Sequence, residues 1–145
     1  MKKILSLLVL ATLIVAFPSC DSGGRKYKVS VVTGEATNIS MDSFTLHGEA
    51  QYQGDESAVA ECGFFYGKEP QVSHSHYMFT TKPQYMQNGV LALVEVVNNV
   101  LQTEFTPAYK FESGETCYYR AYVRVFTASG EDLYYYGDEK SFILQ

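Results

Sequence analysis

Residues 43–52 read Ser-Phe-Thr-Leu-His-Gly-Glu-Ala-Gln-Tyr, and this stretch decides the fold class. Apolar or small side chains alternate with polar ones along it. Because successive side chains of a strand point to opposite sides of a sheet, this period of two predicts a strand with one buried face and one face in water. The face expected to be buried consists of Phe44, Leu46, Gly48, Ala50 and Tyr52, and the face expected in water of Thr45, His47, Glu49 and Gln51.

Short segments rich in β-branched and aromatic residues, separated by turn residues, continue on both sides of this stretch. We expect further strands over residues 28–33, 59–66, 90–97, 116–127 and 133–144, and a short edge strand over 74–80. The last strand should be bulged near Gly137. Residues 82–88 are expected to be irregular, and Asn98-Asn99 to form a hairpin turn into a strand over 100–111 that Pro107 interrupts.

Strands of this length and spacing, with no helix of useful length after the first residues, predict an all-β fold. We expect one β-sandwich domain of seven to nine strands over residues 28–145. One sheet should contain the strands over 28–33, 43–52 and 90–97. The other should contain the strands that carry Cys62, Cys117 and Phe142. The strand over 59–66 is apolar on both sides, as a central strand would be.

The N-terminus has the pattern of an export signal. A charged start, Met1-Lys2-Lys3, precedes an apolar run from Ile4 to Phe17, and Pro18-Ser19-Cys20 follows. The run is shorter than the roughly 20 residues that a membrane span needs. Residues 17–20 resemble a bacterial lipoprotein box, although Phe17 and Pro18 depart from its usual residues. We therefore predict a signal peptide over 1–19, and the alternative is a plain secreted protein.

Lipidation of Cys20 would hold the protein on a membrane, since each buried CH₂ contributes about 0.8 kcal/mol. Residues 20–27 would then be a lipidated cysteine with a short, Gly-rich flexible tether. This predicts a lipid-anchored protein of the cell envelope, at the outer membrane, with the side of the membrane left open. With Cys20 lipidated, Cys62 and Cys117 remain, either as a disulfide or as two separate buried thiols.

Composition and motifs exclude several classes of function. The chain carries 11 basic and 16 acidic residues, a net charge of −5, and loss of the signal makes it more acidic. An acidic domain argues against nucleic acid as a partner. No nucleophile elbow, phosphate loop or metalloprotease motif is present, so we expect no enzyme and no cofactor. His74-Ser75-His76 could share one face of a strand, but no nearby ligand completes a set, and we predict no metal.

A candidate binding face follows from the strand over 116–127. The arginines on one side of this strand predict that this side faces water. Tyrosine and arginine are enriched in binding surfaces because each combines a large contact area with a polar end. We define the Tyr/Arg face as the residues expected there, which are Tyr118, Arg120, Tyr122, Arg124, Tyr134 and Tyr136. Its ligand would be an unknown protein or glycan. The alternative is structural: cross-strand aromatic pairing, or burial under a segment within 67–103.

Several motifs in this order resemble the fibronectin type III-like, immunoglobulin-fold modules of Bacteroidetes cell-envelope lipoproteins. The resemblance covers nearly the whole of the mature domain and implies an Ig-like sandwich at the cell envelope, without implying a reaction. The chain departs from the family's usual aromatic residue at Cys117 and from its usual connection length over 67–103. The matching segments are 32–39, 43–48, 61–66, 114–122 and 136–142.

Taken together, these features predict a non-catalytic, membrane-anchored lipoprotein module for binding or adhesion. The alternative is a structural or assembly subunit of an outer-membrane or fimbrial complex. An open tyrosine face would favour binding, whereas an exposed apolar edge strand, such as 90–97, would favour assembly by strand addition.

Overall fold

The computed structural model describes residues 27–54, 58–74, 79–99 and 110–145. All regular structure in this part of the chain is β, as predicted. The nine strands are β1 (Lys28–Thr33), β2 (Ser43–Gln53), β3 (Val59–Gly67), β4 (Phe79–Thr80), β5 (Gln84–Met86), β6 (Gly89–Asn98), β7 (Thr116–Phe126), β8 (Asp132–Tyr136) and β9 (Lys140–Ile143).

The strands form two antiparallel sheets packed as a β-sandwich. The three-stranded sheet has the order β1-β2-β6. The six-stranded sheet has the order β4-β3-β7-β8, with β5 also paired to β3 and β9 also paired to β7. The predicted membership of both sheets is therefore confirmed. Strand β7 pairs with β3 along one edge and with β8 and β9 in succession along the other, so both of its edges are hydrogen-bonded.

The core lies between the sheets, and β2 supplies the face that its alternation predicted. Phe44, Leu46 and Ala50 are fully buried, and Tyr52 is nearly so. From the facing sheet, β3 and β7 contribute Cys62, Phe64, Cys117, Tyr119, Ala121, Val123 and Val125. Packing a face of this kind against a second apolar face is the main source of stability for a sandwich.

The last strand is broken by a bulge, as predicted. Tyr136 of β8 pairs with Tyr122, and Lys140 of β9 pairs with Tyr119. Residues 137–139 therefore face only residues 120–121 of β7, which is one residue in excess. The N–H of Gly137 donates to the carbonyl of Ala121 at 2.9 Å. A Cβ on Gly137 would lie 2.4 Å from Oγ1 of Thr33, so the close approach of β1 requires glycine here.

Some predictions were wrong in detail. Residues 84–86 form β5 instead of an irregular segment, and Asn98 ends β6 instead of opening a turn. Asn99 is a buried linker whose side chain bonds the backbone of Met41 and Phe111. Of the edge strand over 74–80, the described residues show only Phe79–Thr80.

Other predictions lie outside the described residues. They are the signal peptide over 1–19, the lipidated Cys20, most of the tether over 20–27, and the strand over 100–111, of which only its last two residues are described. Within the four described ranges, no helix is long and apolar enough to cross a membrane.

Candidate functional site

The structure brings the residues of the Tyr/Arg face together on the outer surface of the larger sheet. Alternation along β7 places Tyr118, Arg120, Tyr122 and Arg124 on the side away from the core. Pairing with β8 then sets Tyr136 opposite Tyr122 and Tyr134 opposite Arg124. These residues therefore form one continuous surface across two neighbouring strands.

This surface is not open to water as expected. Tyr122 is 2% exposed, and its ring stacks on Phe65 of β3 with centroids 4.3 Å apart. Gly63 lies opposite Tyr122 in the β3–β7 ladder, and its missing side chain leaves room for the ring. Phe65, Val72 and Tyr122 form a second, smaller hydrophobic cluster outside the main core. The sequence held one signal of this, because β3 is apolar on both faces.

Residues 71–74, which we call the strap, cover the face. The side chain of Val72 is fully buried in the second cluster. The carboxylate of Glu139 accepts hydrogen bonds from the N–H groups of Gln71 at 3.1 Å and Val72 at 2.8 Å. Arg120 donates from Nη1 to the carbonyl of Val72 at 3.5 Å. The alternative prediction was that a segment within 67–103 buries the tyrosines. It is confirmed at Tyr122, against which Val72 packs.

The end of the strap packs on the two tyrosines of β8. The ring of His74 stacks on Tyr134 with centroids 3.9 Å apart and an interplanar angle of 2°. The imidazole and the backbone N–H of His74 both bond the hydroxyl of Tyr136. The guanidinium of Arg120 lies over the ring of Tyr136, 4.8 Å from its centroid. One ring face of each of Tyr122, Tyr134 and Tyr136 is thus already occupied.

Burial also sets the ionisation of these rings. It raises the pKa of Tyr122, Tyr134 and Tyr136. The rise is opposed at Tyr122 by a hydrogen bond with Thr80 and at Tyr134 by the charge of Arg124. At Tyr136 it is opposed by a hydrogen bond with His74 and by the charge of Arg120. The hydroxyl groups are therefore neutral at physiological pH, and they act as hydrogen-bond partners and not as charged groups.

Arg124 is committed to partners within the domain. Its Nε and Nη2 atoms donate to the two carboxylate oxygens of Asp132 at 2.7 and 2.8 Å, and Nη1 donates to Glu61 at 3.2 Å. The hydrogen bond from Arg124 lowers the pKa of Asp132. Its guanidinium also lies over Phe126, 3.8 Å from the ring centroid. A bidentate pair uses the donors that would otherwise recognise a ligand carboxylate.

The cysteines do not form a disulfide, and both thiols are free and buried. Cys62 pairs with Val123, which stands six residues beyond Cys117 on β7. At about 3.3 Å per residue this separates the two positions by roughly 20 Å, far beyond disulfide reach. Burial raises the pKa of Cys62 to about 11 and that of Cys117 to about 12. Neither thiol is therefore a nucleophile at neutral pH.

The histidine pair can be assessed only in part, because His76 lies outside the described residues. The ring of His74 contacts Tyr134 and Tyr136. In the described part of the chain, no three His, Cys, Asp or Glu side chains are grouped as metal ligands would be. The absence of a metal site stays a prediction.

A second surface of interest is the outer edge of β6, which we call the β6 edge. The strand has 10 residues and lies at the end of the sheet, beyond β2. Its outward side chains include Val90, Val94 and Val96, which are 60%, 57% and 63% exposed. Its only ionisable side chain, Glu95, alternates with them on the inner face, where Nε2 of Gln84 donates to it.

No protein-family model matches the chain, and no curated protein matches it significantly. Solved structures of other proteins share this fold. One structure of the sensor domain of the anti-sigma factor RsgI4 from Pseudobacteroides cellulosolvens has a TM-score of 0.53 and 9% identity, over 81% of this chain and 89% of that one. The solution structure of the same sensor domain has a TM-score of 0.55 and 9% identity, over 81% and 75% of the two chains. At this identity the likeness shows the β-sandwich fold alone.

Proposed function

We propose that this protein is a non-catalytic, lipid-anchored interaction module of the cell envelope that binds a protein partner by strand addition at the β6 edge. The observation that carries the proposal is an end strand of 10 residues that exposes valines along its outward face. The anchor rests on the lipoprotein-like box that ends at Cys20.

The β6 edge lacks most of the features by which end strands normally discourage pairing; its one inward-pointing charge, Glu95, is bonded by Gln84. Such strands are usually short, bulged, or marked by lysine or proline. β6 contains neither residue and keeps an unbroken register with β2 from Ser43↔Asn98 to Tyr52↔Gly89. At the opposite end of the sheet, β1 has only 6 residues and begins with Lys28. Among the described residues, β2 is the only strand that pairs with β6.

An added strand would also cover apolar surface. The outward neighbours of the β6 valines on β2 are polar: Thr45 lies opposite Val96, and His47 opposite Val94. The valines therefore lack apolar partners across that ladder. Directly opposed side chains of paired strands contribute roughly 0.2–1 kcal/mol each. A partner strand with β-branched residues at alternate positions would supply the missing contacts, and its backbone would supply the hydrogen bonds.

The Tyr/Arg face supports direct glycan or protein binding less well. Sugar stacking needs an open ring face, and the rings of Tyr122, Tyr134 and Tyr136 already stack on groups of this chain. Arg124 is held by Asp132 and Glu61. The non-catalytic part of the proposal is supported by the high pKa values of the two buried thiols.

Site-specific photo-cross-linking in the native cell envelope tests the proposal. A photoreactive residue replaces Val94 in the full-length protein. A matched control replaces Ile143, which is 55% exposed against 57% for Val94 but lies on the other sheet. We expect a discrete cross-linked product from position 94 alone, and its loss when Val96→Lys is added, because a partner strand would have to cover the new charge. Equal products from both positions, or no product from position 94, would contradict the proposal.

A separate experiment tests the anchor. Replacement Cys20→Ala should release the protein from the membrane fraction, because the acyl chains supply its attachment. If the variant stays membrane-bound, the lipid anchor is wrong, whatever the cross-linking shows.

A further inference from the structure

We propose that the Tyr/Arg face is a receptor for an extended peptide segment that carries an aliphatic side chain, and that the strap occupies this receptor in cis. The site is separate from the β6 edge and lies on the other sheet. The ligand class follows from the way in which the face holds residues 71–74.

The contacts to the strap backbone come from side chains of the sheet, as they would for a bound peptide. Glu139, in the bulge, accepts from two successive N–H groups, those of Gln71 and Val72. Arg120 donates to the carbonyl of Val72. The carboxylate of Glu139 and the guanidinium of Arg120 thus bind backbone groups that any extended segment has. The two ligand residues that donate to Glu139 cannot be proline, which has no N–H.

Two side-chain subsites add selectivity. The first holds Val72, which is fully buried against Phe65 and Tyr122 in the second cluster. The stacked pair of rings closes the floor of this subsite and leaves it apolar, so it fits an aliphatic side chain. The second subsite holds the ring of His74 on Tyr134, two residues further along. The favoured ligand is therefore an aliphatic residue followed, two positions later, by histidine or an aromatic residue.

The strap is suited to exchange with such a ligand. Gln71 has φ of 67°, a left-handed conformation that is uncommon outside glycine, asparagine and aspartate. Holding a residue there costs free energy that release would recover. Within the strap, Gln71 and His74 are exposed and Ser73 is half-buried, so Val72 is the only side chain of the strap that is fully buried. A segment that presents the same groups without the strained residue would compete for the same contacts.

The experiment separates a receptor from a fixed structural cover. Val72→Asp in the full-length protein should open the strap, because it would place a carboxylate in the apolar subsite formed by Phe65 and Tyr122. The probe is a fluorescein-labelled peptide with the sequence of residues 68–74, Lys-Glu-Pro-Gln-Val-Ser-His. We expect its anisotropy to report binding to Val72→Asp that is at least tenfold tighter than to the wild type.

Two controls identify the contacts. A peptide with aspartate in place of its valine should bind neither protein. Adding Glu139→Gln to Val72→Asp should weaken binding about tenfold. Adding Glu131→Gln, which changes an exposed acid near the end of the same sheet, should not weaken it. If Val72→Asp keeps its β-sheet circular dichroism and binds the peptide no better than the wild type, the strap is a structural cover and the proposal is overturned.

A second measurement covers the case in which Val72→Asp fails to fold. Amide hydrogen exchange in the wild type reports opening of the strap directly, because the Val72 N–H is held by Glu139 and not by a strand ladder. We expect this amide to exchange at least tenfold faster than those of Tyr122 and Val123, which lie in the central strand β7. Exchange as slow as theirs would show that the strap opens only with global unfolding, which contradicts the proposal.

Discussion

Asn99 is expected to be among the most sensitive positions in the domain, and Asn99→Ala is the substitution that tests this. The residue is 5% exposed. Its Nδ2 donates to the carbonyls of Met41 at 2.8 Å and Phe111 at 2.9 Å, and its Oδ1 accepts from the N–H of Phe111 at 2.8 Å. The side chain therefore replaces a strand ladder where the chain leaves β6 and again where it approaches β7.

The structure sets the size of the effect. Truncation to alanine removes three hydrogen bonds, each with a net contribution of about 1 kcal/mol. It also leaves the backbone N–H and C=O of Phe111 buried without the Asn99 side chain as a partner, and a buried polar group that loses its partner costs about 1–3 kcal/mol. Allowing for partial rescue by water, we expect a loss of about 3–4 kcal/mol. That is a large part of the roughly 5–15 kcal/mol by which a domain is stable.

Urea unfolding followed by circular dichroism measures this loss. With a slope of about 1.5–2 kcal/mol per molar urea, the midpoint should fall by about 2 M. The matched control is Asn98→Ala, since Asn98 is adjacent but exposed at the end of β6, and it should change the free energy of unfolding by less than about 0.5 kcal/mol. Similar losses in the two variants would refute the role assigned to Asn99.

Three further predictions follow from burial and close packing. Cys62 and Cys117 should resist a thiol reagent at pH 8 in the folded protein and both react after unfolding; rapid reaction of either while folded would contradict their buried, protonated state. Gly137→Ala should cost about 2–3 kcal/mol of stability, seen as a lower thermal midpoint, because its Cβ would collide with Thr33; an unchanged midpoint would contradict the contact. Burial raises the pKa of Tyr119 from 10.0 to about 12. The stability that this shift contributes should therefore be complete below about pH 10 and be lost as the pH rises toward 12. Absorbance at 295 nm measures the titration, and ionisation of every tyrosine near pH 10 in the folded protein would contradict the prediction.

Sequence patterns predicted the sandwich because its main determinants are local. The alternation in β2 fixed which side chains enter the core, and Phe44 and Leu46 are fully buried there. The bulge near Gly137 was also predicted, from a glycine that interrupts an otherwise regular strand. Each of these features depends on a few neighbouring residues, and the packing of the two sheets agrees with them.

The parts that sequence did not predict depend on contacts between distant residues. The strap is held by Glu139, 67 residues after Val72. The arginines on β7 indicated a solvent-exposed face of the sheet. Instead, Arg120 donates a hydrogen bond to the strap, and Arg124 donates to Asp132. The same applies to Asn99, whose sequence context is typical of a turn although its partners lie far away in the chain. Local periodicity carries no information about such long-range polar contacts.

Amide hydrogen exchange along β6 in the dilute purified protein tests most directly whether the β6 edge can accept a partner strand. Alternate N–H groups of an end strand point away from its neighbour. Between Val90 and Val97, we therefore expect protected amides facing β2 to alternate with amides that exchange within minutes. Uniform strong protection along this segment, equal to that of the interior of β7, would show that the edge is already paired within the molecule and would contradict assembly by strand addition.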